Sequence, residues 1–126
     1  MSEYSVKSID ELESIHYGLV KLAAAELGVQ SFGMQVLDLP AGFSDYPEHD
    51  HSDDGQEEVY VVLRGSAEFQ IGGTRMPARA GHMVRIDPGT KRKLVPGPDG
   101  ARVLAIGCVV DRPYERPEAF RLEVSA

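Results

Sequence analysis

Two histidines separated by one residue, His49-Asp50-His51, are the first feature of the 126-residue chain whose types and spacing suggest chemistry. In an extended segment residues i and i+2 point to the same side about 6.6 Å apart, so both imidazoles can converge on one ion at roughly 2.0–2.1 Å from each nitrogen. Asp50 would then point away. A carboxylate pair, Glu57-Glu58, follows, and Glu58 leads the apolar run Val59-Tyr60-Val61-Val62-Leu63 that stops near Gly65. Tyr60 and Val62 share the parity of Glu58 and should line the same side, Tyr60 offering a phenol to a substrate or filling space. The plainer alternative is a solvated acidic loop, because seven of the fifteen residues from Ser44 to Glu58 are Asp or Glu. Asp50-x-Ser52-x-Asp54-Gly55 also has the start of a calcium-binding EF-hand loop, but the twelfth position is Val61 rather than Glu, and a strand rather than a helix follows.

The elements that must position these residues are short and mostly extended. Beyond Val29 the chain is cut at Pro40-Ala41-Gly42, Gly65, Gly72-Gly73, Asp87-Pro88-Gly89 and Pro96-Gly97-Pro98-Asp99-Gly100, a rhythm of turns that predicts an all-β sandwich or barrel. Gly72-Gly73 suits a tight hairpin, and Ala67, Phe69 and Ile71 alternate with Ser66, Glu68 and Gln70, so that strand has one wet face. Helix is expected only near the start. Ser8 and Glu11 form a capping box ahead of Leu12 and Ile15, and a second short helix is expected over roughly Leu19 to Leu27, closed by Gly28 in a left-handed cap. Val59 to Leu63 and Val103 to Val110 are apolar on both faces, so something should cover the outside of the sheet. The N-terminal helix or a second copy of the chain could do so, and a homodimer is expected.

The residues around the histidines resemble the two motifs of the cupin superfamily. Gly42, His49, His51, Glu58 and Gly65 follow the order of the first motif, with Glu58 rather than Glu57 at the spacing of six residues before Gly65. Six residues rather than five precede His49, and six rather than three or four separate His51 from Glu58. Gly81, Pro88 and Gly89 follow the second motif, with Asp87 in place of its proline, so the resemblance extends from Pro40 to about Val95. It implies a double-stranded β-helix, the jelly-roll barrel, with a short N-terminal helical segment: one domain over 1–126, divided into an extension to about 28, a barrel over about 29–110 and a C-terminal extension over about 111–126.

The resemblance also implies a metal in the barrel lumen, held by His49, His51 and Glu58. Where the family carries a further ligand histidine this chain has Arg92, whose guanidinium has no lone pair to give. Two imidazoles and one carboxylate suit iron, zinc, manganese or nickel. A guanidinium about 5 Å from a dication would be repelled by roughly 7 kcal/mol at an effective dielectric constant near 20, before solvent and counter-ions reduce it. Arg92 therefore swings outward, or an anionic ligand enters and Arg92 holds it, or no ion binds and Arg92 pairs with Glu58. The expected function is metal-dependent chemistry, oxygenase-like or isomerase-like, on a small polar or anionic organic molecule, with Arg92 and Tyr60 at the reacting ligand. The alternative is a metal-free binding module without catalysis.

Composition narrows the other classes. With 13 Lys+Arg against 20 Asp+Glu the net charge is −7, which argues against nucleic acid or an anionic membrane as partner. The longest apolar run is far below the ~20 residues of a membrane-spanning helix. The first residues lack the apolar stretch of a secretory signal, and the lone cysteine, Cys108, fits a reducing cytoplasm. Cys108 is expected to be a small buried hydrophobe, and His16 and His82 to have no part in the site. No Ser-His-Asp set, nucleophile elbow or glycine-rich phosphate loop occurs.

Overall fold

Short β-branched and aromatic runs between turn residues put most of the chain into antiparallel strands. The computed structural model describes residues 3–122, so the outermost positions of the expected domain, 1–2 and 123–126, lie outside the described residues. The strands are β1 (Ser14–Ile15), β2 (Val20–Lys21), β3 (Gly33–Leu39), β4 (Gln56–Ile71), β5 (Thr74–Arg79), β6 (Met83–Ile86) and β7 (Arg92–Val109), with one helix, α1 (Ala23–Leu27), and single 3-10 turns at Ile9–Glu11 and Glu118–Phe120. Their order is β1-β2-β3-β7-β4-β5, and β6 pairs with β4. This is the all-β jelly roll expected.

Two long bent strands close the barrel. The first half of β4 pairs with β6 and with the second half of β7, whereas its second half pairs with β5 and with the first half of β7. The register shifts on either side of Gly65, between Val62 and Arg64 and between Gly65 and Ala67. Gly65 has φ 74° and packs on the Gly100 backbone, where no Cβ would fit. A bulge at such a glycine bends a strand from one sheet into the next. Gly72 and Gly73, both at positive φ, make the two-residue hairpin from Ile71 to Thr74.

The lumen is filled by the inward residues of both halves, among them Leu37, Tyr60, Val62, Phe69, Leu94 and Val103. A smaller cluster of Leu12, Ala23 and Val36, with Ile9, Met34 and Leu104 against it, lies where the N-terminal segment packs on β3 and β7. Arg102 pins that segment: it grips Asp38 with two hydrogen bonds at 2.7 and 3.0 Å and donates to Asp10 at 2.7 Å.

The N-terminal expectation needs correction. Ser8 makes no side-chain cap, only the single turn Ile9–Glu11 follows it, and Ile15 belongs to β1. The second helix is confined to Ala23–Leu27, because Val20 and Lys21 pair with Leu37 and Val36 of β3. Hydrogen bonding to the open edge of β3 outweighs the helix propensity of so short a segment. The sheet therefore begins at Ser14 rather than near residue 29. Gly28 does close α1 at φ 82° in the left-handed cap. Cys108 is exposed rather than buried. It pairs with Glu57 of β4 but lies one position beyond Gly107, where pairing with β3 ends at Gly33, so its β3 side is open. No helix among the described residues is long and apolar enough to cross a membrane.

Candidate metal centre

His49 and His51 lie on the loop between β3 and β4 rather than on a strand. A single bridge fixes the loop: His49 N donates to Arg92 O at 3.0 Å and Arg92 N returns to His49 O at 2.9 Å, while His51 N donates to Pro88 O at 2.7 Å. This extended stretch keeps the i, i+2 geometry, and the two rings stand 5.2 Å apart, edge to face. Asp50 turns away and accepts from Ser52 N.

His49, His51 and Glu58 form a group whose ligand atoms all lie within 4.8 Å of one another. His49 Nδ1 sits 3.0 Å from Pro47 O, and His51 Nδ1 sits 3.1 and 3.2 Å from the two oxygens of Asp54. Both contacts call for a proton on Nδ1, which leaves the lone pair on Nε2; this is the outer-shell arrangement that orients metal-binding histidines. His51 Nε2 is 3.0 Å from Glu58 Oε1, yet it is buried and has no partner in hydrogen-bond geometry. An orphaned buried lone pair beside a carboxylate oxygen is what a shared cation would satisfy. The residues therefore fit a divalent metal.

Glu58 is 8 % exposed, and Oε1 accepts from Tyr60 OH at 2.7 Å and from Arg92 Nη1 at 3.1 Å. Burial pushes its carboxyl up, but His51, Tyr60 and Arg92 together outweigh that and hold it below the usual carboxylate range. The adjacent Glu58 carboxylate raises the His51 imidazole above its usual value, against burial. Burial also lifts Tyr60 well above the ordinary phenol value and Tyr46 to about 12, so both stay protonated donors at neutral pH. Glu57 faces the other way and pairs with Arg85 at 2.9 Å.

Arg92 is fully buried, at 0 % exposure. Nη1 reaches Glu58, Nη2 donates to Asp87 O at 2.8 Å, and Nε has no partner. It points inward but does not line the cavity, so among the geometries left open by the sequence the structure has the pairing with Glu58.

Above the histidines is a cavity of about 520 Å³. Tyr60 and Glu58 line it from β4, Leu37 from β3, and Phe43 and Tyr46 from the histidine loop. The segment after β7 adds Tyr114 and Phe120. That segment is held by Arg112, which donates to Asp54 O at 2.6 Å, by Arg116, which donates to Val29 O, and by the Tyr114 hydroxyl against Gly33, where a Cβ would come within 2.7 Å.

Three contributors were missed in the sequence. Asp54 orients His51, and Gln56, buried, donates to Asp54 at 3.0 Å. Gly107 makes room for that amide, since a Cβ there would lie 2.5 Å from Gln56 Oε1. The signal was available for Asp54, a carboxylate three residues after a candidate ligand. His16, given no part, lies on the cavity rim in the β1–β2 turn, where His16 and Tyr17 have φ 55° and 59°. His82 accepts from Arg79 N at 2.9 Å and stays outside the site.

Residues 35–107, more than half of the chain, match the Cupin domain family, and the chain belongs to it. Solved structures agree on the fold. A cupin protein from Bacteroides fragilis superposes with a TM-score of 0.72 at 23% identity, covering 100% of both chains. A predicted oxalate decarboxylase from Thermotoga maritima gives 0.66 at 22% identity, over 84% of this chain and 100% of that one. A candidate sugar phosphate isomerase from Acidithiobacillus ferrooxidans gives 0.59 at 20% identity, over 73% of this chain and 59% of that one. No curated protein matches the sequence.

Proposed function

We propose that this cupin binds one divalent transition metal through His49, His51 and Glu58 and acts on a small organic molecule in the lumen. The observation that carries the reading is the pair of imidazoles whose Nδ1 atoms are engaged by Pro47 O and Asp54, leaving the Nε2 lone pairs for an ion beside Glu58. When bound, the metal would polarise a ligand oxygen as a Lewis acid or, if iron, support oxygenase chemistry. The chain's own residues do the rest. Tyr60 and Arg92 hold Glu58 ionised and fixed in rotamer, Asp54 and Gln56 fix His51, and the segment carrying Tyr114 and Phe120 keeps water from the ligand. Arg92 is a positioning residue on this reading, because it acts through Glu58 and does not reach the cavity. The reading includes a cytoplasmic location and a homodimer.

The Arg92–Glu58 pair favours one other reading, a metal-free barrel that binds a ligand without turning it over. Metal analysis of unchelated protein expressed in metal-replete medium separates the two. The expected result is about one transition metal per chain, lost in His49→Ala and His51→Ala and released in acid, where protons compete with the ion for its ligands. Absence of metal, or retention indifferent to both substitutions, rejects the metal reading.

A further inference from the structure

The walls of the cavity say what kind of molecule it takes. Leu19, Leu37, Leu39, Phe43, Tyr114 and Phe120 present carbon to it, whereas its imidazoles and carboxylates stand at two ends; its other polar lining residues are Gln35, Gln56, Tyr46 and Tyr60. One end is the floor made by half-buried His49 and His51 and buried Glu58; the other is the exposed rim at His16 and Asp45. No Lys or Arg is among the described residues that line it, and Arg92 is sealed behind Glu58. A phosphate or a small dicarboxylate would meet no cationic side chain there. Gln56 and Tyr60 are already engaged by Asp54 and Glu58, so the hydroxyls of a sugar would find few partners beyond Gln35 and Tyr46, and each unpaired group costs free energy.

We propose that the ligand is an amphiphilic organic acid: an oxygen-donor head at the floor and an apolar body, of phenyl or branched-alkyl size, against Phe43, Leu37 and Phe120. The proposal rests on the metal reading of the floor, since without the ion nothing there attracts an anionic head. With the ion bound, Glu58 offset by Arg92 leaves the floor two charges positive, which the head reduces. The body is held by removal of apolar surface from water, and its stacking partner Phe43 is a half-buried loop residue that packs against the barrel core without being part of it.

The test uses cobalt-loaded full-length protein, with metal content measured separately from ligand binding. Phenylpyruvate, pyruvate, oxalate and glucose 6-phosphate are titrated by calorimetry, and the cobalt absorption spectrum reports whether the head reaches the ion. Phenylpyruvate should bind at least about tenfold tighter than pyruvate, and glucose 6-phosphate should bind no better than pyruvate; oxalate, a dianion that chelates the ion through both carboxylates, reports head binding alone. Phe43→Ala should remove most of that margin with metal content and pyruvate affinity unchanged, and Phe120→Ala should do the same from the other wall. Equal affinity for phenylpyruvate and pyruvate, tighter binding of glucose 6-phosphate than of phenylpyruvate, or a margin untouched by both substitutions overturns the proposal. If the chain holds no metal, the proposed function fails on the metal analysis alone. The apolar subsite is then read with the neutral ketone 4-phenyl-2-butanone: binding weakened by Phe43→Ala upholds the subsite, and no binding overturns it.

Discussion

The Arg92 guanidinium donates to Glu58 Oε1 across 3.1 Å, and His51 Nε2 stands 3.0 Å from the same oxygen, so the guanidinium and the imidazole meet on one carboxylate atom. A position that carries a ligand in the family's motif here supplies a counter-charge. On the metal reading a dication and Arg92 would share Glu58, whose negative charge would offset part of their repulsion.

Replacing Arg92 by Met should separate the two roles of Glu58. In metal-free protein Arg92→Met strands a buried carboxylate, an effect of about 3–5 kcal/mol, relieved in part by Tyr60 and His51. Urea unfolding monitored by circular dichroism should show the loss, and added zinc should recover most of it because the ion replaces the missing charge. Arg92→His should instead tighten zinc binding at least about tenfold, read by competition with a chromophoric chelator, since it adds a lone pair beside His49. Unchanged affinity in Arg92→His would mean that this side chain cannot reach the ion.

Asp54 matters to the metal only through His51. Asp54→Ala removes the acceptor at 3.1 Å that keeps the proton on Nδ1, and metal affinity should fall about 10–100-fold. Asp54→Asn, which keeps an acceptor oxygen but not the charge, should fall less. The chelator competition reads both, and a loss equal in the two variants would indicate that charge rather than orientation is at work.

The barrel and the floor of the site were legible in the sequence for different reasons. The Ala67-Phe69-Ile71 alternation and the glycine turns are local signals, and local signals survive folding. His49, His51 and Glu58 were legible because motif spacing constrains a metal cluster, and even the lengthened loop from Ser52 to Glu57 did not move Glu58 from its parity with Tyr60. The N-terminal helix was not legible, because the capping box competes with an open edge of β3 that no local pattern reveals. Phe43, Tyr114 and Phe120 come from loops and a tail with no periodicity, so the cavity's apolar character emerged only from tertiary placement.

Acid should weaken the fold at a place remote from the site. The hydrogen bonds from Arg102 hold the Asp38 carboxyl below its usual value, against burial. Its folded pKa is thus lower than its unfolded one, near 3.8, so its contribution is fully present above that value and is lost as pH falls through the folded pKa. Asp38→Asn should cost about 1–2 kcal/mol at pH 7 and little at the acid end. Urea midpoints for both proteins from pH 7 to pH 2.5 check this, and a gap constant across that range would place the stabilisation elsewhere.

A second copy of the chain should cover what the N-terminal segment leaves open. Leu12, Ala23 and Ile9 reach Met34, Val36 and Leu104, but Met83 stays 72 % exposed and Leu63 41 %. Val59 pairs with Ile106 and Arg85, and Val61 with Leu104 and Met83, which makes one apolar strip across β6, β4 and β7. Arg85 beside it is paired with both Glu57 and Asp87, which leaves that cluster one charge negative in each copy, a repulsion that burial of the strip must outweigh. An isologous contact of this kind buries the strip against itself. Light scattering at micromolar concentration should give twice the chain mass, and Val61→Lys should halve it while circular dichroism stays unchanged. A single-chain mass for the unaltered protein would mean that the strip is tolerated in water.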